Sequence, residues 1–448
     1  MNKEEVGGQT MFRVGTILLV IVGAILCQVS GLAEEVSGPA EEEAEFDLLI
    51  KGGHLIDPKN AINTQMDIAV DDEKIAEVAE DIASDRADRV IDARGLYVTP
   101  GLIDMHTHIF WGTRQGSSHF HIPERGDYWW SYSNSYASVQ PDAFSFRAGV
   151  TTVVDAGGAG WRNFKEFKEQ TVKYSWTRVL AFLNIVGGGM DGGPVEQNLA
   201  DMDARLTALF AEEHSDIVVG IKLAHYRGPN WEPTRRTVEA GRLAKLPVMI
   251  DFGYSMPKLP LSELLTNHLR PGDIFTHCYA DQEERQGIVN EEGVLPAFAL
   301  EAQQRGLIFD VGHGAGSFAF SQAIPAIRQG LWPNTISTDL HAWSMNGGLK
   351  NMTNLMSKFL SMGMPLEEVV RATTSSTAKA IKREELGHLS VGAEADVAVF
   401  RLLEGNFGFV DASDKRIEGT QKLIAELTLR RGWVAWDLNG LSAQPWDK

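Results

Sequence analysis

The chain has 448 residues, of which 44% are hydrophobic and 23% charged, a composition typical of a globular protein and unlike that of a disordered chain or a coiled coil. Acidic residues outnumber basic ones 60 to 41, which gives a formal net charge of −19, and this balance argues against nucleic acids or anionic membrane surfaces as partners because both bind basic surfaces. The two cysteines, Cys27 and Cys278, are too few for a disulfide framework or a cysteine-rich zinc module.

The chain begins with a pattern typical of a secretory signal peptide. An uncharged apolar run over residues 14–27 follows Lys3 and Arg13, and small residues at Gly31 and Ala33 precede an acidic stretch. The run is shorter than the roughly 20 residues that a membrane-spanning helix needs, although a retained anchor and a buried N-terminal helix remain alternatives. We therefore predict a signal peptide over residues 1–33 and an exported protein, periplasmic or extracellular, without a stable membrane partner after cleavage.

Residues 34–45 form an acidic segment rich in Pro, Ala and Gly, which predicts a linker. Residues 46–98 then alternate apolar and polar positions between tight-turn signals such as Gly-Gly, Asp-Pro and Asp-Asp, a pattern that predicts short β-strands. The segment 386–440 near the other end of the chain shows the same strand-like pattern. Both flanks are therefore predicted to be β-rich.

Between these flanks, apolar runs alternate with amphipathic helical stretches. This order predicts a parallel α/β arrangement, of which a closed eight-stranded barrel is the simplest form. The candidate strands are Leu102–Met105, Thr151–Asp155, Val179–Val186, Ile217–Leu223, Val248–Asp251, Ile274–His277, Leu307–Val311 and Ile336–Asp339.

Polar residues follow several of these runs at the point where each strand would end. In a barrel of this kind the active site lies at the carboxyl ends of the strands. The residues are His106, His108, Lys222, Asp251, His277, His313 and Asp339. A single His-x-His pair would be weak evidence, since polar residues also occur at strand ends for structural reasons, but buried ionisable groups at several strand ends need partners or a metal. The pattern favours a metal site.

The same segments resemble a known family. The motifs YVTPGLIDMHTH, GVTTVVDAG, GIKLA, FTHCY, DVGHG, ISTDLH and GHLSVGAEADVAVF are similar to those of the amidohydrolase superfamily of metal-dependent hydrolases, and the resemblance covers residues 46–440. Within it, the chain looks closest to the amidohydrolase/deacetylase branch, whose relatives include dihydroorotase and hydantoinase. The resemblance implies a (β/α)8 TIM-like barrel over residues 99–385 and a small β-sandwich domain formed by residues 46–98 and 386–440.

The resemblance also implies a metal-ligand set. His106, His108 and Asp339 would bind one divalent ion, His277 would bind a second, and a carbamate formed from CO2 and the Lys222 amine would bridge them. The implied ions are Zn2+, with Mn2+ as the alternative. A buried lysine near cations has a lowered pKa, which frees its amine to react, whereas the alternative is a Lys222 that pairs with a neighbouring carboxylate.

Asp251 departs from the family pattern, which usually has a histidine at this strand end. Asp251 could be an oxygen ligand that replaces the imidazole and favours harder ions such as Mn2+. Alternatively, the second metal position is weakened and the enzyme works with one ion. A catalytically inactive metal-binding paralogue is the third alternative.

The expected activity is hydrolysis of an amide or ester bond in an N-acyl or O-acyl small molecule, such as an acetylated amino acid or hydroxy acid. A water made acidic by the metal would attack the carbonyl, and Asp339 would accept its proton and pass it to the leaving group. His313, His225 and Tyr226 are predicted to contact the substrate. The alternative activity is that of a cyclic amidase similar to dihydroorotase or hydantoinase.

The segment 109–141 is long and rich in aromatic residues, which predicts a lid or binding loop over the barrel mouth, with packing on the barrel rim as the alternative. Its His119-Phe120-His121 sequence repeats the His-x-His spacing but lies in a loop, so we do not predict a metal site there. Relatives of the family are often homo-oligomers, and the sequence leaves the oligomeric state open.

Overall fold

The computed structural model describes residues 44–112, 138–191, 193–253, 255 and 257–447, together with two short strands at 120–121 and 128–129. The predicted signal peptide, nearly all of the predicted linker and most of the aromatic loop, including His119, lie outside the described residues. No helix within the described ranges has both the length and the apolar character needed to cross a membrane.

The elements fall into three groups along the chain. The N-terminal group consists of strands β1 (Leu48–Asp57), β2 (Ile62–Asp71), β3 (Lys74–Ala79), β4 (Val90–Asp92) and β5 (Tyr97–Pro100). The central group consists of β6 (Leu102–Thr107), β7 (Phe120–His121), β8 (Tyr128–Trp129), β9 (Val150–Gly160), α1 (Phe164–Gln170), β10 (Arg178–Asn184), α2 (Gly193–Glu196), α3 (Ala204–Glu213), β11 (Val218–Leu223), α4 (Glu232–Ala244), β12 (Val248–Ile250), α5 (Leu261–Glu263), β13 (Ile274–Phe275), α6 (Ala297–Gln304), β14 (Ile308–Phe309), α7 (Phe320–Arg328), α8 (Ala342–Asn346), α9 (Met352–Ser361), α10 (Leu366–Thr373) and α11 (Ser375–Ala380). The C-terminal group consists of β15 (Val397–Val410), β16 (Arg416–Arg430) and β17 (Trp433–Asp437).

The strands of both chain ends form one mixed sheet. Its order is β17-β16-β15-β5-β1-β2-β3, and β4 pairs with β1. The antiparallel pairing of β15 with β5, from Val397 opposite Pro100 to Phe400 opposite Tyr97, joins the two ends of the chain. Apolar side chains of both ends, among them Val98, Val399 and Leu427, share one buried cluster. The β-rich part is thus assembled from both flanks as expected, while the domain boundaries given above stay a prediction.

The central strands form a parallel sheet in the order β14-β13-β12-β11-β10-β9-β6. The segment between residues 335 and 340 joins its two edges through parallel bridges, Asp310 with Thr335 and Thr107 with Leu340. Strands β6 and β9 are buried along their whole length, as expected of a parallel sheet that helices cover. The predicted α/β barrel fold is confirmed.

The predicted eighth strand differs from the others, because residues 336–339 form no regular strand and only the flanking Thr335 and Leu340 form isolated bridges. Side chains of this segment donate hydrogen bonds to buried carboxylates at neighbouring strands: Thr338 donates to Asp104, and Ser337 donates to Asp310. The backbone then turns at Asp339, whose φ of 52° lies in the left-handed region. This turn ends the strand geometry and directs the Asp339 side chain into the barrel mouth.

Helices α3 and α4 show how the sequence starts and orients a helix beside the sheet. Helix α3 begins at Asp203, whose carboxylate accepts hydrogen bonds from the Arg205 and Leu206 amides. Helix α4 starts with Pro233 in its first turn and buries Thr237 and Ala240 on one face. Because the central strands pair in parallel, their carboxyl ends lie at one end of the barrel, where the polar residues collect.

Candidate active site

A cavity of about 260 Å3 opens at the carboxyl ends of the barrel strands. It is lined by His106, His108, Met190, Lys222, His225, Arg227, Asp251, His277, Gln282, Ala315, Gly316, Ser317, Asp339, His341 and Trp343. The residues predicted from the ends of the first, fourth, fifth, sixth and eighth strands therefore meet in one place.

Three of these residues could hold a metal ion. One ligand atom each from His106, His277 and Asp339 lies within 4.8 Å of the other two, and all three residues are buried. His108 lies beside them, with its Nε2 atom 2.7 Å from Asp339 Oδ1. Two imidazole nitrogens and one carboxylate oxygen are donors that divalent transition metals prefer. The donor set fits a metal site.

The charges of these groups support the same interpretation. Burial lowers the pKa of His277 and of His108 to about 4, so both rings are neutral at pH 7. Burial raises the pKa of Asp339 above its usual value. Metal binding requires unprotonated imidazoles, and these rings meet that requirement without a change of pH.

The backbone is strained where the site residues turn into the cavity. His277, Asp339 and His225 have φ values of 56°, 52° and 51°, in the region that favours glycine. Each such position costs on the order of 1–3 kcal/mol, and such strain clusters at functional sites. The strain adds an independent indication that this cavity is functional.

Lys222 lies at the end of β11 and is almost completely buried. Its Nζ atom is 3.4 Å from His106 Nε2 and 3.4 Å from the sulfur of Met249. Burial lowers the pKa of this amine. A Cβ atom at Gly157 would lie 2.7 Å from Lys222 Cγ, so the glycine of the GVTTVVDAG motif makes room for the lysine stem.

Asp251 lies outside the three-residue cluster and contacts several cationic or imidazole groups. Its carboxylate oxygens are 3.5 Å from Arg285 Nη1, 3.5 Å from His225 Nε2 and 3.8 Å from His277 Nε2. Burial raises the pKa of Asp251, but His277, His225 and Arg285 outweigh this effect and lower it. Asp251 is therefore a carboxylate in this geometry.

His225 links Asp251 to a further buried carboxylate. Its Nδ1 atom is 3.3 Å from Glu196, which is 1% exposed. Burial lowers the pKa of His225, yet the charge and hydrogen bond of Glu196, together with Asp251, raise it to about 9. His225 thus carries a positive charge at the cavity wall at neutral pH.

Two residues predicted to contact substrate lie elsewhere. His313 is fully buried, with Nδ1 2.9 Å from the Gly314 carbonyl and Nε2 2.7 Å from Lys358 Nζ, and Tyr226 packs against the core and accepts a hydrogen bond from Asn230. Neither lines the cavity. The glycines beside His313 bring the backbone close to the site side chains: a Cβ at Gly312 would lie 2.5 Å from Thr276 Oγ1.

Sequence reasoning missed several residues of the site. The pattern around Arg285, Glu196 and Gln282 is polar and predicts solvent-exposed loops. Only the fold brings Gln282 to the cavity, and Arg285 and Glu196 to its charged groups. Arg227 lies five positions after Lys222, so its place just beyond the end of β11 could have indicated that it lies at the cavity. Trp343 lies four positions after Asp339, and its place in the chain could likewise have indicated the cavity.

The chain is similar in sequence and fold to several known proteins. The sequence profile of the amidohydrolase family matches residues 89–128 and 279–435. The chain is 33% identical to a deacetylase of Agrobacterium fabrum over 364 residues, which cover 79% of this chain and 83% of that protein. A solved structure of an adenine deaminase superimposes with a TM-score of 0.75 at 27% identity and covers 88% of this chain and 100% of its own. A solved dihydroorotase gives a TM-score of 0.73 at 29% identity and covers 86% and 97%.

Proposed function

Because the chain belongs to the amidohydrolase family, we propose that it is a metal-dependent deacetylase that hydrolyses the amide or ester bond of an N-acyl or O-acyl small molecule. The observation that carries the proposal is the buried cluster of His106, His277 and Asp339 at the base of the barrel cavity. Similarity to deacetylases over most of the chain supports the choice of acyl substrates.

The residues of the cluster have two roles in the proposed hydrolysis, metal binding and proton transfer. A divalent ion held by His106, His277 and Asp339 would polarise the acyl carbonyl and make a water molecule more acidic. Asp339 then accepts the proton of the attacking water at a carboxylate oxygen and returns it to the leaving nitrogen or oxygen.

Lys222 completes the site in this proposal as a carbamate formed with CO2. Its burial and lowered pKa favour the neutral amine that this reaction needs. The carbamate would face His106 and add a second oxygen donor for a second ion. Zn2+ is the proposed metal, since imidazole nitrogens dominate the cluster, with Mn2+ as the alternative.

The cavity wall favours a substrate that carries a carboxylate. Arg227 lines the cavity with an exposed side chain, and among the described residues no ion pair of its guanidinium is seen. Guanidinium groups bind carboxylates in a bidentate manner. Met190 and Trp343 supply apolar wall on which an aliphatic or aromatic substituent can pack. N-acetylated amino acids and O-acetylated hydroxy acids have this chemistry.

The test is release of acetate from matched substrates by the full chain loaded with Zn2+ or Mn2+ in the presence of bicarbonate. We expect turnover of N-acetyl amino acids or O-acetyl hydroxy acids, weaker turnover of the same compounds as carboxamides, and loss of activity on chelation. Asp339→Asn should lower kcat at least a hundredfold, because it removes the proton acceptor. General acid–base groups contribute about 10^2–10^4-fold to the rate.

Asp81→Asn is the matched control, since the Asp81 side chain is 87% exposed and follows strand β3, away from the cavity lining; it should leave kcat unchanged. Hydrolysis of a cyclic amide such as a dihydropyrimidine, with no acetate release, would instead favour the cyclic amidase activity that the dihydroorotase similarity keeps open. No turnover of either class with metal present would contradict the proposal.

A further inference from the structure

A buried hydrogen-bond network lies directly beneath the metal-binding cluster. Three hydroxyl groups converge on the carboxylate of Asp310, which follows strand β14: Thr276 Oγ1 at 2.7 Å, Ser337 Oγ at 2.7 Å and Thr335 Oγ1 at 2.8 Å. All four residues are 0% exposed. The network also touches the cluster, because Thr276 Oγ1 is 3.0 Å from Nδ1 of His106.

Counting protons in this network fixes the direction of each hydrogen bond. A carboxylate can only accept, so each of the three hydroxyls donates its single proton to Asp310. Ser337 Oγ in addition accepts the Gly312 amide proton at 3.1 Å, which leaves its own proton for Asp310. Thr276 has then used its proton, and its oxygen can bond to His106 only as an acceptor.

The direction of these hydrogen bonds sets the tautomer of His106. His106 must carry its proton on Nδ1 in order to donate to Thr276, and Nε2 is then the atom with the lone pair. Nε2 lies on the cavity side, 3.5 Å from Asp339 Oδ1 and 3.4 Å from Lys222 Nζ. The opposite tautomer would place a proton on the nitrogen that faces the other ligands.

The two other histidines in or beside the metal-binding cluster, His277 and His108, are held differently. His277 donates from Nδ1 to the backbone carbonyl of Gly312 at 2.6 Å, so its tautomer is set by the main chain. Nδ1 of His108 has no hydrogen-bond partner among the described residues. The tautomer of His106 is therefore set by side chains, and substitution can change it.

We propose that Thr276, oriented by Asp310, is a positioning residue that holds His106 in the tautomer with a free Nε2 and thereby sets the affinity of the site for a divalent ion. The inference rests on the metal-binding role of the cluster in the proposed function, but not on the identity of the substrate. Groups that orient a metal-ligating histidine in other proteins typically contribute about 10–100-fold to metal affinity.

The test is the dissociation constant of Zn2+ for the metal-free full chain, measured by competition with a chromophoric chelator. Thr276→Val removes the hydroxyl at nearly constant volume and should weaken Zn2+ binding about 10–100-fold. Thr276→Ser keeps the hydroxyl and should restore affinity to within a few-fold of the unmodified protein. Thr335→Val is the matched control, because it deletes a hydroxyl from the same carboxylate without touching His106.

Asp310→Asn supplies a second route if Thr276→Val does not fold. The amide can donate to Thr276 Oγ1, which would turn the threonine proton toward His106 Nδ1 and favour the wrong tautomer, so we again expect weaker Zn2+ binding. Equal affinity in Thr276→Val and the unmodified protein, or an equal loss in Thr335→Val, would overturn the inference. Because the readout is binding, it stands even if the acetate assay fails.

Discussion

At the scale of single residues, Asp251 shows how one substitution can change the charge balance of a site. The carboxylate meets His277 on one side, and Arg285 and His225 on the other. Arg285 is itself 3% exposed and donates to the Thr276 carbonyl at 3.3 Å. Asp251 and Arg285 therefore form a pair in the structure, whether or not Asp251 also binds a metal.

This pairing gives a prediction for stability. Asp251→Asn keeps the shape of the side chain but removes the negative charge beside the buried Arg285 guanidinium, and should destabilise the metal-free protein by about 3 kcal/mol, the usual cost of removing one partner of a buried ion pair. Urea denaturation of the metal-free protein measures the loss. In the double variant with Arg285→Met, part of the loss should be recovered, since the buried cation is absent.

A different result would identify Asp251 as a metal ligand alone. In that case Asp251→Asn would leave the stability of the metal-free protein unchanged and would lower only the number of bound ions per chain, measured by elemental analysis. Losses in both measurements would mean that Asp251 serves as charge partner and ligand together.

At the scale of elements, helix α9 is tied to the cavity loop by a buried lysine. Lys358 is 0% exposed, and its Nζ donates to the Gly348 carbonyl at 2.8 Å and lies 2.7 Å from Nε2 of His313. The His313 ring stacks on Phe318, with ring centroids 4.7 Å apart. Gly316 and Ser317, between these two rings in the chain, line the cavity. The lysine thus anchors the loop that forms one wall of the site.

The buried position of Lys358 predicts a pH dependence of stability. Burial lowers the pKa of Lys358 to about 7, and Asp411 offsets only part of this effect. The unfolded chain therefore binds more protons than the folded chain between pH 7 and about pH 10, and stability should rise with pH in this window at up to about 1.4 kcal/mol per unit. Below pH 7 both states are protonated, and the cost of burying the charge is fully present.

Comparison with Lys358→Met isolates this contribution. The difference in free energy of unfolding between the unmodified protein and the variant, from urea titrations at pH 6.5, 7.5 and 8.5, should grow in favour of the unmodified protein as pH rises. His225, whose raised pKa acts in the opposite direction at higher pH, contributes equally to both proteins and cancels. A difference that stays constant over these pH values would contradict a neutral buried lysine.

At the scale of the whole molecule, the sequence predicts the barrel and most of its site because these depend on local patterns. Apolar runs predict the strands, and the two-residue period places His106 and His108 at the end of one of them. The same logic places Lys222, His277 and Asp339. Arg285 and Thr276 could not be assigned a role in this way, since their partners lie 34 and 170 residues away along the chain.

His313 shows a related limit of the sequence, while its contact with substrate stays a prediction. Its flanking glycines indicate close packing, but the sequence does not say what packs there, and the structure places the site side chains against the glycines and the histidine against Lys358. Similarly, the alternation of apolar and polar residues over Ile336–Asp339 predicts a strand. In the structure its side chains donate hydrogen bonds to Asp104 and Asp310, the backbone turns at Asp339, and only the flanking Thr335 and Leu340 form isolated bridges.

The charge of the molecule bears on its location. The first 33 residues contain Lys3, Glu4, Glu5 and Arg13, whose charges cancel, so the net charge of −19 belongs entirely to the remainder of the chain. A chain of that charge is repelled by anionic membrane surfaces. We propose that residues 1–33 are removed on export and that the acidic hydrolase is released.

Export can be tested by intact-mass measurement of the protein expressed in a bacterial host with a secretory pathway. We expect a species that begins at Glu34, because Gly31 and Ala33 supply the small side chains that signal peptidase requires. Ala33→Phe should block processing and keep the protein in the membrane fraction, whereas Ala40→Phe, in the predicted linker, should be processed normally. A full-length mass in the soluble fraction would contradict both the signal peptide and the retained anchor. It would favour the buried N-terminal helix instead.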